Sequence, residues 1–414
     1  MRLVARHDVL VIGAGISGLT FAHHAARSGR RVLVLERAAR AGGCLHSERT
    51  PGGYWFELGA HTCYSSYGAF LELVEQLGLD DRMQRRGEPV LRFLDGDRVA
   101  PGKNLGALLR RMKLGQLLGS IWRVFGARQA GQTVRSYYER LVGPDNYARV
   151  LGPMLSAVPS QCADGFPADM LFKRRPRRKG VLRSFTLAGG LSTLTDRIAA
   201  EPGITVVLGQ GASRLERHGD AFVVTRYDGQ PEEAACLALA TPPQGAARLL
   251  AAGLPELAEQ VRAIGEAVVD SMGVVVRRER IRLPYASFLI PSGDVFHSVV
   301  TRDVVEDATF RAFSFHFQPG LERQARLDRM AALLGLRLDH IEHLGERRTV
   351  LPSPALGHHE RIREIDALLT RDPRASGRLA LCGNWFGGLA IEDCVLRARA
   401  EWRRVGEAER ATGR

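Results

Sequence analysis

Residues 7–36 read HDVLVIGAGISGLTFAHHAARSGRRVLVLE, and they restrict the folds open to this chain more than any other stretch. Residues 8–12 form a short apolar run rich in valine and isoleucine, as in a strand buried within a parallel sheet. Gly13, Gly15 and Gly18 follow at G-x-G-x-x-G spacing. A helical pattern runs from Ile16 to Ser28 and stops at Gly29, a C-cap residue type. The strand RVLVLE closes the unit at Glu36. Strand, glycine turn, helix and second strand in this register predict a dinucleotide-binding unit.

Each residue has a physical task in that unit. Gly13 permits the tight turn, Gly15 admits a pyrophosphate to the backbone, and Gly18 lets helix and strand pack closely. Ile16, Ser17 and Gly18 open the helix, whose free N–H groups and partial positive charge face the phosphates. Glu36, at the end of the second strand, accepts hydrogen bonds from ribose hydroxyls and repels a 2′-phosphate.

Further glycine turns follow. RAARAGG contains Arg37, Arg40, Gly42 and Gly43. GGYWFELGAHT, residues 52–62, reads as a strand running into Gly59, Ala60 and His61. Near the other end, GNWFGGLAIEDC carries Gly383, Asn384, Trp385 and Ile391.

The combination VIGAGISGL, VLVLERAARAGG and FELGAHT resembles the flavin amine oxidase superfamily, which includes protoporphyrinogen oxidases, phytoene desaturases and monoamine oxidases. The resemblance implies an α/β fold: a Rossmann-like FAD-binding domain, a mixed-sheet α+β substrate domain and a helical insertion. It implies FAD as cofactor, with the turn at Gly383–Asn384 against the ribityl-phosphate region and the helix starting near Ile391 aimed at the flavin pyrimidine. It also places the segment around Ala212 against the adenine, where relatives commonly carry valine.

FELGAHTCYSSYGAF, LRSFTLAGGLSTLTDRIA, LALATPPQGAARLL and LPSPALGHHERIREID resemble the protoporphyrinogen oxidase branch. The implied division is an FAD-binding domain of residues 1–88, 186–262 and 372–414, a helical insertion of 89–185 and a substrate domain of 263–371. The chain departs from the branch in its length, in GGLAIEDC and in YASFLIPSGDVFHSVVTRDVVED, which follows the cavity strands only loosely.

The implied chemistry is hydride removal to flavin N5 from a reduced, electron-rich substrate, a porphyrinogen first. Electrons then pass to molecular oxygen or another acceptor. The cofactor carries the hard step, so no dedicated base is required. Arg92, in VLRFLDGDRV, matches the position of an arginine that pairs with a substrate propionate, a task its bidentate fork suits. His61 and His316 read as hydrogen-bonded fillers. A polyene or isoprenoid substrate is the alternative within the same cofactor class. Amine oxidation is a third reading, disfavoured because no lysine follows Lys179. A prenyl-binding carrier of the same fold is the non-enzymatic alternative, and the intact glycine set argues against it.

Only four lysines, Lys103, Lys113, Lys173 and Lys179, contribute to the net charge of +13, so arginine supplies most of it. That balance suits an anionic partner, and the expected substrate is an anionic or apolar small molecule. No zinc-finger spacing or RNP-like strand points to nucleic acid. The six cysteines form no CxxC pair, which argues against a metal site. No run of 18 uncharged apolar residues exists, so the expected location is cytoplasmic, with peripheral contact on the inner face of the membrane and homodimerisation left open. Residues 105–129 set leucines and Phe125 against Arg110, Arg111, Lys113 and Arg123. This basic amphipathic segment either binds a membrane surface or packs on the core. KRRPRRKG, residues 173–180, reads as a solvated loop.

Overall fold

A computed structural model describes residues 5–411. The ends of the outer segments expected for the FAD-binding domain, residues 1–4 and 412–414, lie outside the described residues. Two seven-stranded sheets organise the chain. In the first, the order is 204–208, 32–36, 5–12, 231–239, 221–226 and 212–218, with 379–381 added beside 231–239. The strands 204–208, 32–36, 5–12, 231–239 and 379–381 run parallel. Their continuous apolar runs follow from burial on both faces. Val9, Val11, Val32 and Val34 pack with the helices Ile16–Arg27 and Ile391–Ala411. Leu10, Ile12, Leu33 and Leu35 pack against the opposite helices, 243–250, 255–262 and 358–371.

The register matters for function. Leu35 pairs with Ile12, Ile12 with Leu239, and Leu239 with Leu381. The four strands therefore end level, and Glu36, Gly13, Ala240 and Cys382 leave one carboxyl edge side by side. At strand spacings of about 4.8 Å the row spans roughly 15 Å. Segments from both ends of the chain thus meet at one edge.

The second sheet has the order 341–353, 265–277, 310–317, 296–301, 288–291, 91–95 and 98–99. Alternation gives it two unlike faces. Met272, Val274, Val276, Phe313, Phe315 and Phe317 form one core with the helix Arg323–Leu334. The opposite face carries Ser271, Gly273, Ser314, His316, Gly345 and Arg347, which oppose one another across the ladders. A methyl group at Gly273 would lie 2.2 Å from the Phe56 ring and 2.8 Å from Leu58, so this face packs closely on the 54–58 segment. Small and polar residues here leave room that the apolar face fills.

Two features depart from the expected division. Leu91–Asp95 and Arg98–Val99, expected within the helical insertion, pair into the second sheet. The helix His358–Arg371, expected in the substrate domain, packs on the first sheet through Ile365, Leu368 and Leu369. Backbone pairing and the apolar stripe override the sequence order in both cases. The insertion itself folds around Val134, Tyr147, Leu155 and Phe166.

Candidate functional site

The carboxyl edge of the first sheet is where open α/β sheets hold ligands. Gly13 has φ +105°, and a Cβ there would lie 2.6 Å from the Ala240 carbonyl oxygen. A Cβ on Gly18 would lie 2.0 Å from the Gly13 oxygen and 3.1 Å from Val11 Cγ1, the close helix–strand approach read from the spacing. Gly15 differs: only the Gly43 Cα comes within 4 Å of its would-be Cβ, at 3.7 Å, so its open side faces the cleft. The helix Ile16–Arg27 has no side-chain cap and no acid in its first turn, which leaves the donors of Ile16, Ser17 and Gly18 for an anion.

Glu36 sits at this edge and is already engaged. Its carboxylate accepts the Ala14 and Ala38 N–H groups, at 2.8 Å each. Each oxygen retains a lone pair for a ribose hydroxyl. The Gly209 and Gln210 amides donate to the Ala38 and Glu36 carbonyls at 2.9 Å, bringing the Ala212 segment beside the same strand end. The Gly42 amide donates to the Ala14 carbonyl at 2.7 Å, and Gly43 abuts Gly15.

Several expected contacts take other roles. Arg40 turns its guanidinium onto the carbonyls of Ala41, Gly43 and Leu45, so it braces the Gly42–Gly43 loop from within. Arg37 is exposed. Trp385 is a core side chain: it is 1 % exposed, stacks on Phe386 and donates its indole N–H to the Thr241 carbonyl at 3.1 Å. Gly383 and Asn384 directly follow the strand 379–381 and so reach the edge. The last helix starts at Ile391 as expected, but Asp393 accepts the Ala390 amide at 3.3 Å, and Glu392 accepts the Ala69 and Phe70 amides at 2.9 Å. Its first turn is thereby acidic. Ser17 lies beside the Cys394 thiol, where the first and last helices pack. KRRPRRKG is anchored as well as solvated: Arg175 pairs with Asp393 at 2.7 Å, and Lys173 bonds the Gly387 carbonyl.

Arg92, expected to meet the substrate, donates to the Tyr285 carbonyl at 2.8 Å and the Gly102 carbonyl at 3.2 Å. Sequence reasoning missed two other arginines. Arg347 belongs to the polar face of the second sheet; its Nη1 is buried without a partner, 3.5 Å from where a Gly59 Cβ would stand. The charges of Cys44 and Glu36 bear on it, which puts it at the dinucleotide edge. Strand alternation through Gly345, Arg347 and Thr349 was the signal that could have found it. Arg86, the second, is 8 % exposed.

The Gly59–His61 turn joins the edge to a cavity system. A narrow inner cavity of about 20 Å³ is lined by His61, Arg86, Trp55, Phe56 and Thr186. An outer cavity of about 740 Å³ is lined by Arg86, Tyr285, Leu182 and Val304 among others. Arg86 and Val304 line both. His61 tilts against Phe288 at 5.2 Å, and burial, then the Arg86 charge, pushes its pKa down to about 3. His316 bonds Ser271 at 2.9 Å, and burial holds it at about 4. Glu57 is driven up to about 7 by burial, against the hydrogen bonds from Leu191 N–H and Ser47 Oγ.

Thr62 Oγ1, Gln84 Oε1, Thr186 Oγ1, Thr241 Oγ1 and Arg347 Nη1 are buried without partners. Buried polar atoms are nearly always hydrogen-bonded, and a polar ligand at the edge would supply partners to the orphans that lie there, Arg347 Nη1 among them. With the open side of Gly15 and the level strand ends, they fit a dinucleotide such as FAD.

A family model described as flavin containing amine oxidoreductase matches residues 16–276. A protein of Mycobacterium tuberculosis described as a flavin-containing monoamine oxidase, AofH, is 26% identical over 260 residues, 57% of each chain. The mitochondrial protoporphyrinogen oxidase of Nicotiana tabacum is 28% identical over 243 residues, 47% of each chain. The chain thus spans about half the length of the curated relatives it matches. A crystal structure from Exiguobacterium sp. 255-15, described as a protoporphyrinogen oxidase, superposes with a TM-score of 0.77 at 18% identity, covering 96% of this chain and 98% of the other. This chain belongs to the flavin containing amine oxidoreductase family, whose flavin cofactor is the ligand that the glycine edge fits.

Proposed function

We propose that the protein is an FAD-dependent oxidoreductase that takes hydride from a reduced, electron-rich substrate, with a porphyrinogen as the first substrate class. The observation that carries this reading is continuity: the level strand ends at Glu36, Gly13 and Cys382 adjoin the Gly59–His61 turn, which opens into the cavities at Arg86. FAD, when bound, supplies a two-electron acceptor. The chain's own residues do the rest. Trp55, Phe56 and Phe288 dry the inner end, which strengthens every polar contact there. His61 and His316 stay neutral at physiological pH, so neither repels a cation developing on the substrate.

The curated protoporphyrinogen oxidase relative and the size of the outer cavity support a bulky substrate. An amine substrate is the second reading, supported by the relative described as a monoamine oxidase. Against it stands the absence of any lysine after Lys179. Oxygen or another acceptor completes turnover.

A peripheral membrane contact belongs to the same proposal. Leu105, Leu114, Leu118, Trp122 and Phe125 are 61–81% exposed, beside Arg110, Lys113 and Arg123. No helix among the described residues is long and apolar enough to cross a membrane. Exposed apolar patches edged by cations suit an anionic lipid surface.

The test is aerobic incubation of the purified, flavin-loaded protein with protoporphyrinogen or coproporphyrinogen. The expected result is rising porphyrin fluorescence with hydrogen peroxide; a loaded protein inert to both, yet active on an amine, transfers the proposal to the second reading.

A further inference from the structure

A small sheet beside the inner cavity has two unlike faces. Its strands run in the order 63–64, 184–187 and 83–85. Cys63, Phe185 and Leu187 belong to the core that packs on the first sheet. Thr186 alternates with Phe185 and Leu187, and Gln84 is its register partner. Cys63 pairs with Phe185, so Thr62, one residue before its strand, stands level with Thr186. Neighbours in such a row are about 5 Å apart. Thr62 Oγ1, Thr186 Oγ1 and Gln84 Oε1 are all buried without a hydrogen-bond partner.

Thr186 also lines the inner cavity. The other hydroxyls on that cavity are engaged: Thr301 Oγ1 donates to the Ala286 carbonyl and Ser314 Oγ to the Glu57 carbonyl. Arg302, which follows the strand Phe296–Thr301, lines the cavity as well. Its guanidinium stacks on Tyr54 and Trp55, and Nη1 donates to the Val305 carbonyl at 3.3 Å. Its Nε, however, is buried without a partner. A hydroxyl and an N–H donor on one cavity therefore both lack partners. Native proteins leave few buried polar groups in that state.

Size decides what could serve both. The cavity offers about 20 Å³. A buried water needs roughly 10–15 Å³ of such space and two to four polar partners. Trp55, Phe56, Val300 and Val305 supply apolar wall, and Glu57, His61 and Arg86 complete the polar part of the lining.

We infer that the inner cavity is the binding site of one ordered water, held by Thr186 Oγ1 and Arg302 Nε and flanked by Thr62 and Gln84. The water accepts from the Arg302 Nε–H, shares a bond with the Thr186 hydroxyl and donates to Gln84 Oε1. Three bonds are what a buried water typically makes. It ties the small sheet, which the Gly59–His61 turn enters at Thr62, to the second sheet at Arg302. The inference is independent of which substrate the protein takes.

The test is a crystal structure of the flavin-loaded protein, with one set of crystals grown in sodium bromide, together with melting curves of Thr186→Val. One density peak is expected in the cavity, about 3 Å from Thr186 Oγ1 and Arg302 Nε. An empty cavity overturns the inference, and so does a peak with the anomalous signal of bromide, which assigns the cavity to an anion. Valine keeps the shape of threonine and lacks the hydroxyl. If the water is there, Thr186→Val strands its remaining partners, and the melting temperature should fall by roughly 2–4 °C. If it is not, the change deletes a stranded hydroxyl, and a melting temperature that holds or rises overturns the inference. Thr186→Ser should keep both the peak and the wild-type melting temperature. The wild-type crystals decide the matter if the valine variant fails to fold.

Discussion

The glycine edge and the cavity throat meet at the Gly59–His61 turn, yet they are built in opposite ways. At the edge, backbone does the work: glycine turns, level strand ends and an uncapped helix N-terminus. At the throat, side chains from distant strands converge, among them His61, Arg86, Thr186 and Val304. An edge made of backbone tolerates most side-chain changes and fails sharply where space runs out. A throat made of side chains tunes affinity residue by residue. The contrast teaches that single substitutions should act sharply at the edge and gradually at the throat.

The sharpest break should come at the edge. Gly18→Val places a branched side chain where even a methyl group meets the Gly13 oxygen at 2.0 Å. Overpacking at so tight a contact costs on the order of 3 kcal/mol. We expect loss of bound FAD and a lower melting temperature, measured by visible absorbance and calorimetry.

A smaller effect is expected where the second sheet reaches the edge. Arg347→Met removes a buried cation whose Nη1 has no protein partner. FAD affinity should fall roughly 10- to 100-fold, as for other charge-assisted bonds. The readout is a titration of flavin-free protein by quenching of FAD fluorescence, with no dependence on turnover. Because the empty protein loses no bond, its melting temperature should hold or rise.

The interface between the two regions carries a pH signature. Glu57 has its pKa raised from 4.5 to about 7 by burial. A raised folded-state pKa means that its stabilisation is complete below the unfolded value and is lost as pH rises through about 7. Wild type should therefore lose on the order of 2 kcal/mol more stability between pH 5 and pH 8 than Glu57→Gln does. Denaturant titrations at both pH values check the slope. His61, with its pKa lowered to about 3, acts oppositely: its contribution is present above 6.5 and lost as pH falls toward 3. Acid unfolding should therefore persist in Glu57→Gln.

The smallest stability effect belongs to the exposed insertion. Leu118→Ser with Phe125→Ser changes side chains that are 67% and 81% exposed. Stability should shift by no more than about 0.5 kcal/mol. Sedimentation with vesicles of phosphatidylglycerol should drop. Unchanged sedimentation would assign these side chains to another partner.

The same contrast explains what the sequence could reveal. Gly13, Gly15, Gly18 and Glu36 were legible because a local turn and its strand fix their geometry within 30 residues. The α/β class and the final glycine turn were legible for the same reason. Arg86 and Arg347 were not. Each sits in an arginine pair, QRRG and ERRT, that looks like surface charge until strand pairing buries one member. Arg40 and Trp385 misled in the other direction: both belong to glycine turns, but their side chains brace the turn from behind. Pairing between residues 83–95 and partners 100 or more positions away is a tertiary fact, which local patterns do not carry.

One measurement bears most directly on the shared edge. Flavin content should be determined, by visible absorbance after gel filtration, for wild type and for Gly15→Leu, each supplied with excess FAD. The open side of Gly15 predicts close to one flavin per wild-type chain and little or none in the variant, with both proteins folded by circular dichroism. Wild type without flavin, or a leucine variant that keeps a full complement, would contradict the claim that backbone from both ends of the chain encloses the cofactor.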